Sequence, residues 1–218
     1  MSDLSIYKDG RNSPARKLKN GKHGKHIVHL PSLKNKKTVV CESELEADLC
    51  LLFEYEPSVL EYLPQPDTYR FTVNEHTKTY TPDFLATYDT GEQVYYEVKP
   101  DHIEGDVEYM DMIYVFDELI QKSGYGFKLL TEQHIRVQPR MENLKALYSR
   151  IVGVTEHEHA YLMDTLNFLN RETSVHELIH MESPPSFRSV AHAIFFQKLT
   201  FDMNMPFGPY SHIAPVKP

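Results

Sequence analysis

Two β-rich runs, Asp83 to Tyr88 and Gln93 to Lys99, flank the stretch Asp89-Thr90-Gly91-Glu92. A glycine free to take positive φ between two such runs specifies a β-hairpin. With Asp89, Thr90 and Gly91 as a three-residue loop, Tyr88 pairs with Glu92, and counting back sets Asp83 opposite Glu97. Directly opposed residues share a face, with Cβ atoms about 5 Å apart. Glu97 and Lys99, two apart on one strand, share a face as well. The hairpin thus gathers two carboxylates and an ammonium on one patch of sheet. Like charges at that spacing repel unless a cation sits between them, and hard oxygen ligands suit Mg²⁺ or Mn²⁺. Lys99 would then hold or deprotonate a metal-bound water, or offset charge developing on a phosphate. An exposed hairpin carrying cross-strand ion pairs accounts for the same residues without catalysis.

The rest of the chain supplies context for that patch. Ser43-Glu44-Leu45-Glu46 opens a helix: Ser43 is an N-cap, Glu46 stands three residues on, and Leu45, Leu49, Leu52 and Phe53 follow helical spacing up to Pro57. Glu46 is either the second half of a capping box or a third carboxylate leaning over the hairpin, and the two roles are compatible. Val59 to Pro66 is extended. Thr68 to Val73 is strand-like, Asn74 to Lys78 a turn, and Thr79 to Thr81 extended again. Asp106 to Gln121 is helical, Phe127 to Leu130 a strand, and Pro139 to Ile151 a further helix. Helices and strands alternating around a hairpin predict a mixed α/β domain.

Charge divides the chain unevenly. The net charge of −8 combines ten Lys/Arg against two Asp in residues 1–40 with thirteen Lys/Arg against twenty-nine Asp/Glu beyond them. Arg16, Lys17, Lys19, Lys22 and Lys25 are interleaved with Gly21, Gly24 and His23. Glycines let a basic backbone lie close to phosphates, so this arm is a candidate DNA-binding segment; a solvated tail explains the same charge run. Hydrophobic residues make up 41% of the chain, enough for a packed core. No apolar run approaches the ~20 residues of a membrane-spanning helix. The N-terminus shows no apolar signal core, and the two cysteines, Cys41 and Cys50, cannot form a disulfide scaffold or a four-thiolate zinc site. The expected location is the cytoplasm.

In order and spacing, Ser43-Glu44-Leu45-Glu46, Leu51-Leu52-Phe53-Glu54, Ser58-Val59-Leu60, Gln65-Pro66, Tyr80-Thr81-Pro82-Asp83-Phe84-Leu85 and Glu97-Val98-Lys99-Pro100 resemble the PD-(D/E)xK nuclease superfamily. More closely, they resemble the TnsA-type endonuclease subunit of heteromeric cut-and-paste transposases. The basic arm is similar to that family's arm, and the tail to its C-terminal domain. The resemblance implies a restriction-endonuclease-like mixed sheet flanked by helices, with Glu46, Asp83 and Glu97 as metal-binding acids and Lys99 as catalytic lysine. Some family members carry Gln where Glu97 stands. The implied reaction is Mg²⁺- or Mn²⁺-dependent hydrolytic nicking of double-stranded DNA at the 5′ ends of a transposon, on the non-transferred strand. The implied partners are an integrase-like transposase, which cuts and joins the 3′ ends, and an ATPase regulator docking on the C-terminal domain. A restriction or repair nuclease of the same superfamily, or a non-catalytic DNA-binding adaptor, remains an alternative.

The expected organisation is a basic arm over 1–40, a nuclease domain over 41–150 and a winged-helix-like domain over 151–218. In that last stretch Glu156 to Leu169, a short segment capped by Thr173 or Ser174, and Ser186 to Gln197 are helical, and Leu199 to Asp202 and Tyr210 to Ile213 are short strands. His176-Glu177-Leu178-Ile179-His180 matches the zinc-protease pattern. The helix is too short before Pro184, and too little chain follows for a cleft, so these residues read better as the first helix of a helix-turn-helix. The third helix carries a single Arg, Arg188, which is poor for neutralising phosphates. The domain is expected to dock a protein, or to touch DNA weakly.

Overall fold

The structure is a computed structural model that describes residues 5–7, 27–73 and 75–216. The chain divides into two compact units, Met1–Ile135 and Arg136–Pro218. The boundary expected from the sequence, at 150, would leave the helix Arg140–Tyr148 with the nuclease domain.

The first unit begins with strand β1 (Ser5–Tyr7) and a hairpin of β2 (Val28–Ser32) and β3 (Lys37–Cys41), which lies inside the stretch taken for the arm. Helix α1 (Glu44–Tyr55) follows, with the Ser43 hydroxyl accepting the Glu46 N–H at 3.1 Å as expected of an N-cap. Next come β4 (Val59–Pro64), β5 (Thr68–Val73), β6 (His76–Tyr80), β7 (Phe84–Tyr88) and β8 (Gln93–Lys99). β6 starts at His76, three residues before the extended run expected at Thr79, because Glu75 turns the chain tightly at φ 67°. A 3₁₀ turn (Asp101–Gly105), helix α2 (Val107–Lys122), strand β9 (Gly126–Thr131) and the short helix α3 (Glu132–Ile135) complete the unit.

The main sheet has the order β4-β7-β8-β9. β7 pairs antiparallel with β4 on one side and β8 on the other, and β9 is parallel to β8. A parallel neighbour needs a crossover, and α2 supplies it. This is the mixed sheet flanked by helices that the sequence predicted. β8 is buried on both faces, as a central strand with helices above and below must be. On one face Tyr96 meets Phe53 of α1 at 5.0 Å between ring centroids, beside Tyr62 and Phe84. On the other, Tyr95 joins Tyr69, Phe71 and Tyr80 around Phe116 of α2, whose ring lies 4.6 Å from that of Tyr80. A second antiparallel sheet, β1-β5-β6, brings those residues of β5 and β6 to that core. The buried carboxylate of Glu54 on α1 accepts from Ser32 Oγ, from the Leu33 and Lys34 N–H groups and from the Tyr62 hydroxyl, fastening β2 and β4 to the helix.

The second unit holds α4 (Arg140–Tyr148), α5 (Glu156–Leu169), β10 (Thr173–Ser174), α6 (Val175–Ile179), α7 (Phe187–Phe195), β11 (Leu199–Thr200) and β12 (His212–Pro215). The helices expected over 156–169 and after Ser174 and Ser186 are present with those residues at their caps. The strands form a small antiparallel sheet of order β10-β12-β11. Leu144, Leu147, Leu162, Leu166, Leu178, Val190, Ile194 and Phe195 are fully or nearly fully buried and form its apolar interior. The buried amide of Asn143 donates to the carbonyls of Met203 and Met205 and accepts from the Phe207 N–H at 2.8 Å, pinning the loop before β12. Among the described residues no helix is long and apolar enough to cross a membrane.

Candidate active site

The β7–β8 turn closes as a three-residue loop. The Tyr88 N–H donates to the Glu92 carbonyl at 2.9 Å, the Gly91 N–H donates to the Tyr88 carbonyl at 2.9 Å, and Gly91 takes φ 84°. That turn sets the register Phe84↔Tyr96, and one step further Asp83 stands opposite Glu97, as the loop length dictates. Asp83 lies just beyond the strand, and its Oδ2 accepts from the Val98 N–H at 2.8 Å. Its carboxylate is thereby fastened to the backbone of the strand that carries Glu97 and Lys99.

Lys99 stands between the two acids. Its Nζ lies 3.8 Å from Asp83 Oδ2 and donates to Glu97 Oε1. Glu97 is 2% exposed and takes two further donors, Tyr80 Oη on Oε2 and Tyr109 Oη on Oε1, each at 2.7 Å. Three donors on one buried carboxylate fix its orientation and compensate its loss of water. Burial, then the charge of Glu97, pushes the Asp83 carboxyl well above its usual range, with Lys99 and the Val98 N–H pulling the other way. Burial works against the Lys99 ammonium, but Asp83 and Glu97 outweigh it and hold the lysine above its usual value. Burial next to Glu97 raises both tyrosines, so they remain donors at neutral pH. This is no exposed hairpin with cross-strand ion pairs.

These side chains line a cavity of about 440 Å³ with Glu42, Glu46, Gln65, Thr79 and Thr81. Glu46 reaches that cavity from α1, yet its carboxylate is engaged in the helix cap: Oε2 accepts from the Glu42 N–H at 2.8 Å and Oε1 from the Ser43 hydroxyl at 3.2 Å. Burial raises its pKa, against those two hydrogen bonds. Of the four expected site residues, the structure packs Asp83, Glu97 and Lys99 together, while Glu46 lines the same cavity with its carboxylate held in the helix cap. No group of three His, Cys, Asp or Glu among the described residues is arranged to hold a metal ion. The donor chemistry nevertheless fits a hard divalent cation. The ligand atoms on offer are carboxylate and amide oxygens, and one of them, Gln65 Oε1, is buried with no hydrogen-bond partner among the described residues.

Tyr80 and Tyr109 had no role in the sequence analysis. They come from β6 and α2, and no local spacing announces that two phenols from separate elements converge on one carboxylate. The candidate DNA-binding residues Arg16, Lys17, Lys19, Lys22 and Lys25 lie outside the described residues.

The zinc-protease pattern folds as the sequence reading preferred. α6 spans five residues, Glu177 is ion-paired with Arg171 and accepts from Thr173, and His180 Nδ1 is 2.8 Å from the His176 carbonyl. Arg171 holds the Glu177 carboxyl down at about 2, which removes its use as a base.

A comparison with curated proteins finds no match. Residues 56–132, the stretch that contains β4 to β9, match the family model described as TnsA-like endonuclease N terminal, so this part of the chain is similar to the family that its motifs resemble.

Proposed function

We propose that the chain is the divalent-cation-dependent DNA endonuclease subunit of a heteromeric transposase, nicking the non-transferred strand at the 5′ ends of the transposon. The observation that carries this reading is the apposition at one cavity of Asp83, Glu97 and Lys99, all three of them within the stretch matched as TnsA-like. Asp83 and Glu97 would hold Mg²⁺ or Mn²⁺, with Glu46 as the third acid once its carboxylate leaves the cap. A bound divalent ion lowers the pKa of water and polarises a phosphoryl oxygen. Lys99, tethered through Glu97, orients the attacking water and offsets charge developing on the scissile phosphate. Tyr80 and Tyr109 keep Glu97 aimed while they exclude bulk water from its far side. Gln substitutes for Glu46 as a cap but not as an anionic ligand, so Glu46→Gln separates its two roles.

For residues 151–218, the three helices α5, α6 and α7 together with the small sheet β10-β12-β11 support a winged-helix-like module. Protein docking is favoured over base reading, because Arg188 of α7 is already committed to Glu158 through two hydrogen bonds, at 2.7 and 2.8 Å. Its partners would be the integrase-like transposase and the ATPase regulator.

The test is cleavage of a transposon-end duplex by the full chain with its cognate transposase in Mg²⁺ or Mn²⁺. Wild type is expected to nick the 5′ ends. Asp83→Ala, Lys99→Ala and Glu46→Gln are expected to lose at least 100-fold in rate while remaining folded. Full cleavage by Asp83→Ala or Lys99→Ala would remove the assignment. Equal cleavage without the transposase would turn it toward a restriction or repair nuclease.

A further inference from the structure

Gln65 follows β4 and sits between Pro64 and Pro66. Its φ is 46°, in the left-handed region. An L-residue with a full side chain pays steric cost there, and a following proline adds restriction of its own. What holds it is its N–H, which donates to the carbonyl of Asp83 at 2.8 Å. The strained peptide is thus tied directly to the residue that supplies the first candidate acid. Strained backbone of this kind persists where the surroundings over-determine it, and it concentrates at functional sites.

The side chain adds an independent observation. Gln65 is 8% exposed, lines the same cavity as Asp83, Glu97 and Lys99, and its amide oxygen is buried without a hydrogen-bond partner among the described residues. A buried acceptor left unpaired is a net cost to the fold. An amide oxygen is satisfied by a donor or by a cation. The one ammonium that lines the cavity, Lys99, donates to Glu97 and to the Val98 carbonyl. A neutral oxygen lining the same cavity as two carboxylates complements them as a ligand for a hard divalent ion, adding a coordination site without a third charge to repel.

We propose that Gln65 is a cation-positioning residue of this site, its amide oxygen serving the divalent ion directly or through one bound water. The inference rests on the metal-dependent reading above. It explains why a bulky residue is kept at positive φ beside Asp83, and why its amide oxygen meets no donor among the described residues.

The experiment is calorimetric titration of the full chain with Mn²⁺, without DNA, together with the melting temperature in EDTA. Gln65→Leu is expected to weaken Mn²⁺ binding by about 10-fold or more and to leave the melting temperature in EDTA equal or higher, since an orphaned acceptor is removed. Gln65→Glu is expected to tighten binding, and it carries the test if the leucine variant does not fold. Mn²⁺ affinity within twofold of wild type for both variants, while Asp83→Ala loses binding, overturns the role of Gln65 and leaves the nuclease reading standing. A lower melting temperature in EDTA for Gln65→Leu with unchanged Mn²⁺ affinity assigns the amide to the fold and also overturns it. A wild type that binds no Mn²⁺, or an Asp83→Ala variant that binds as wild type does, sinks the metal-dependent reading and this inference with it.

Discussion

Asp83 occupies a position that works against its own charge. Burial disfavours its carboxylate first and the neighbouring Glu97 charge second, and Lys99 and the Val98 N–H compensate only in part. A folded state that raises a carboxyl pKa binds that proton more tightly than the unfolded chain does. Stability therefore falls as pH rises from the ordinary Asp value of about 3.9 through the raised one. Asparagine at this position keeps an oxygen for the Val98 N–H and removes the penalised charge, while Lys99 retains Glu97 as a partner. Asp83→Asn is thus expected to lose cleavage and yet melt about 2–4 °C higher at pH 7 without metal, equivalent to about 1 kcal/mol. The gain is expected to shrink on acidification and vanish below about pH 3.5. Melting curves of the two proteins across that range check it. An equal or lower melting temperature for the variant at pH 7 would mean that the Lys99 contact outweighs the burial cost.

At the scale of elements, what the sequence made legible was whatever local geometry determines. The loop Asp89-Thr90-Gly91 fixes a register by its length alone, so the apposition of Asp83 and Glu97 followed from counting. Helix starts announced themselves through Ser43, Ser174 and Ser186, each of which caps the helix after it. The β2–β3 hairpin was masked by its lysines, Lys34, Lys36 and Lys37, which crowd the turn and read as a continuation of the basic arm. The clamp of Tyr80 and Tyr109 on Glu97 is a tertiary fact with no sequence period. The second unit offers a prediction of this kind. Glu158 completes the capping box of α5 with Thr155, and across to α7 it accepts from Ser186 and from Arg188. The hydrogen bond from Arg188 is the largest influence holding its carboxyl down at about 2. A depressed carboxyl contributes stability above its ordinary value, and that contribution is lost as pH falls from 4.5 toward about 2. Glu158→Gln can still serve the cap but not the ion pair. It is expected to be less stable than wild type at pH 7, with the gap closing over that acid window in urea titrations. A gap independent of pH would assign the loss to the cap rather than to Arg188.

For the molecule as a whole, charge decides how the DNA of the proposed function could be approached. The chain beyond residue 40 carries twenty-nine acidic against thirteen strongly basic residues. A body of that sign repels a duplex at long range, and the carboxylates at the cavity add to the repulsion until a cation is bound. The excess lies in residues 41–135, with five Lys/Arg against twenty-one Asp/Glu, while residues 136–218 hold eight of each and two of their arginines, Arg171 and Arg188, are paired with carboxylates. The basic excess of the chain lies in residues 1–40, where ten Lys/Arg face two Asp, and the proposed function assigns the attraction for DNA to that stretch. Phosphate contacts release condensed counterions, and each one steepens the dependence of log affinity on log salt by about 0.9. Arg16, Lys17, Lys19, Lys22 and Lys25, if each meets a phosphate, would account for a slope of about 4–5. Replacing all five with alanine is expected to flatten the salt dependence of duplex binding by that amount, measured by fluorescence anisotropy at low ionic strength in Ca²⁺. Binding should weaken equally for transposon-end and unrelated sequences, because backbone contacts carry affinity without base readout. An unchanged slope would exclude the arm from phosphate contact and move the search for the DNA-binding surface to the folded units. A loss confined to the transposon-end duplex would instead make the arm a reader of sequence.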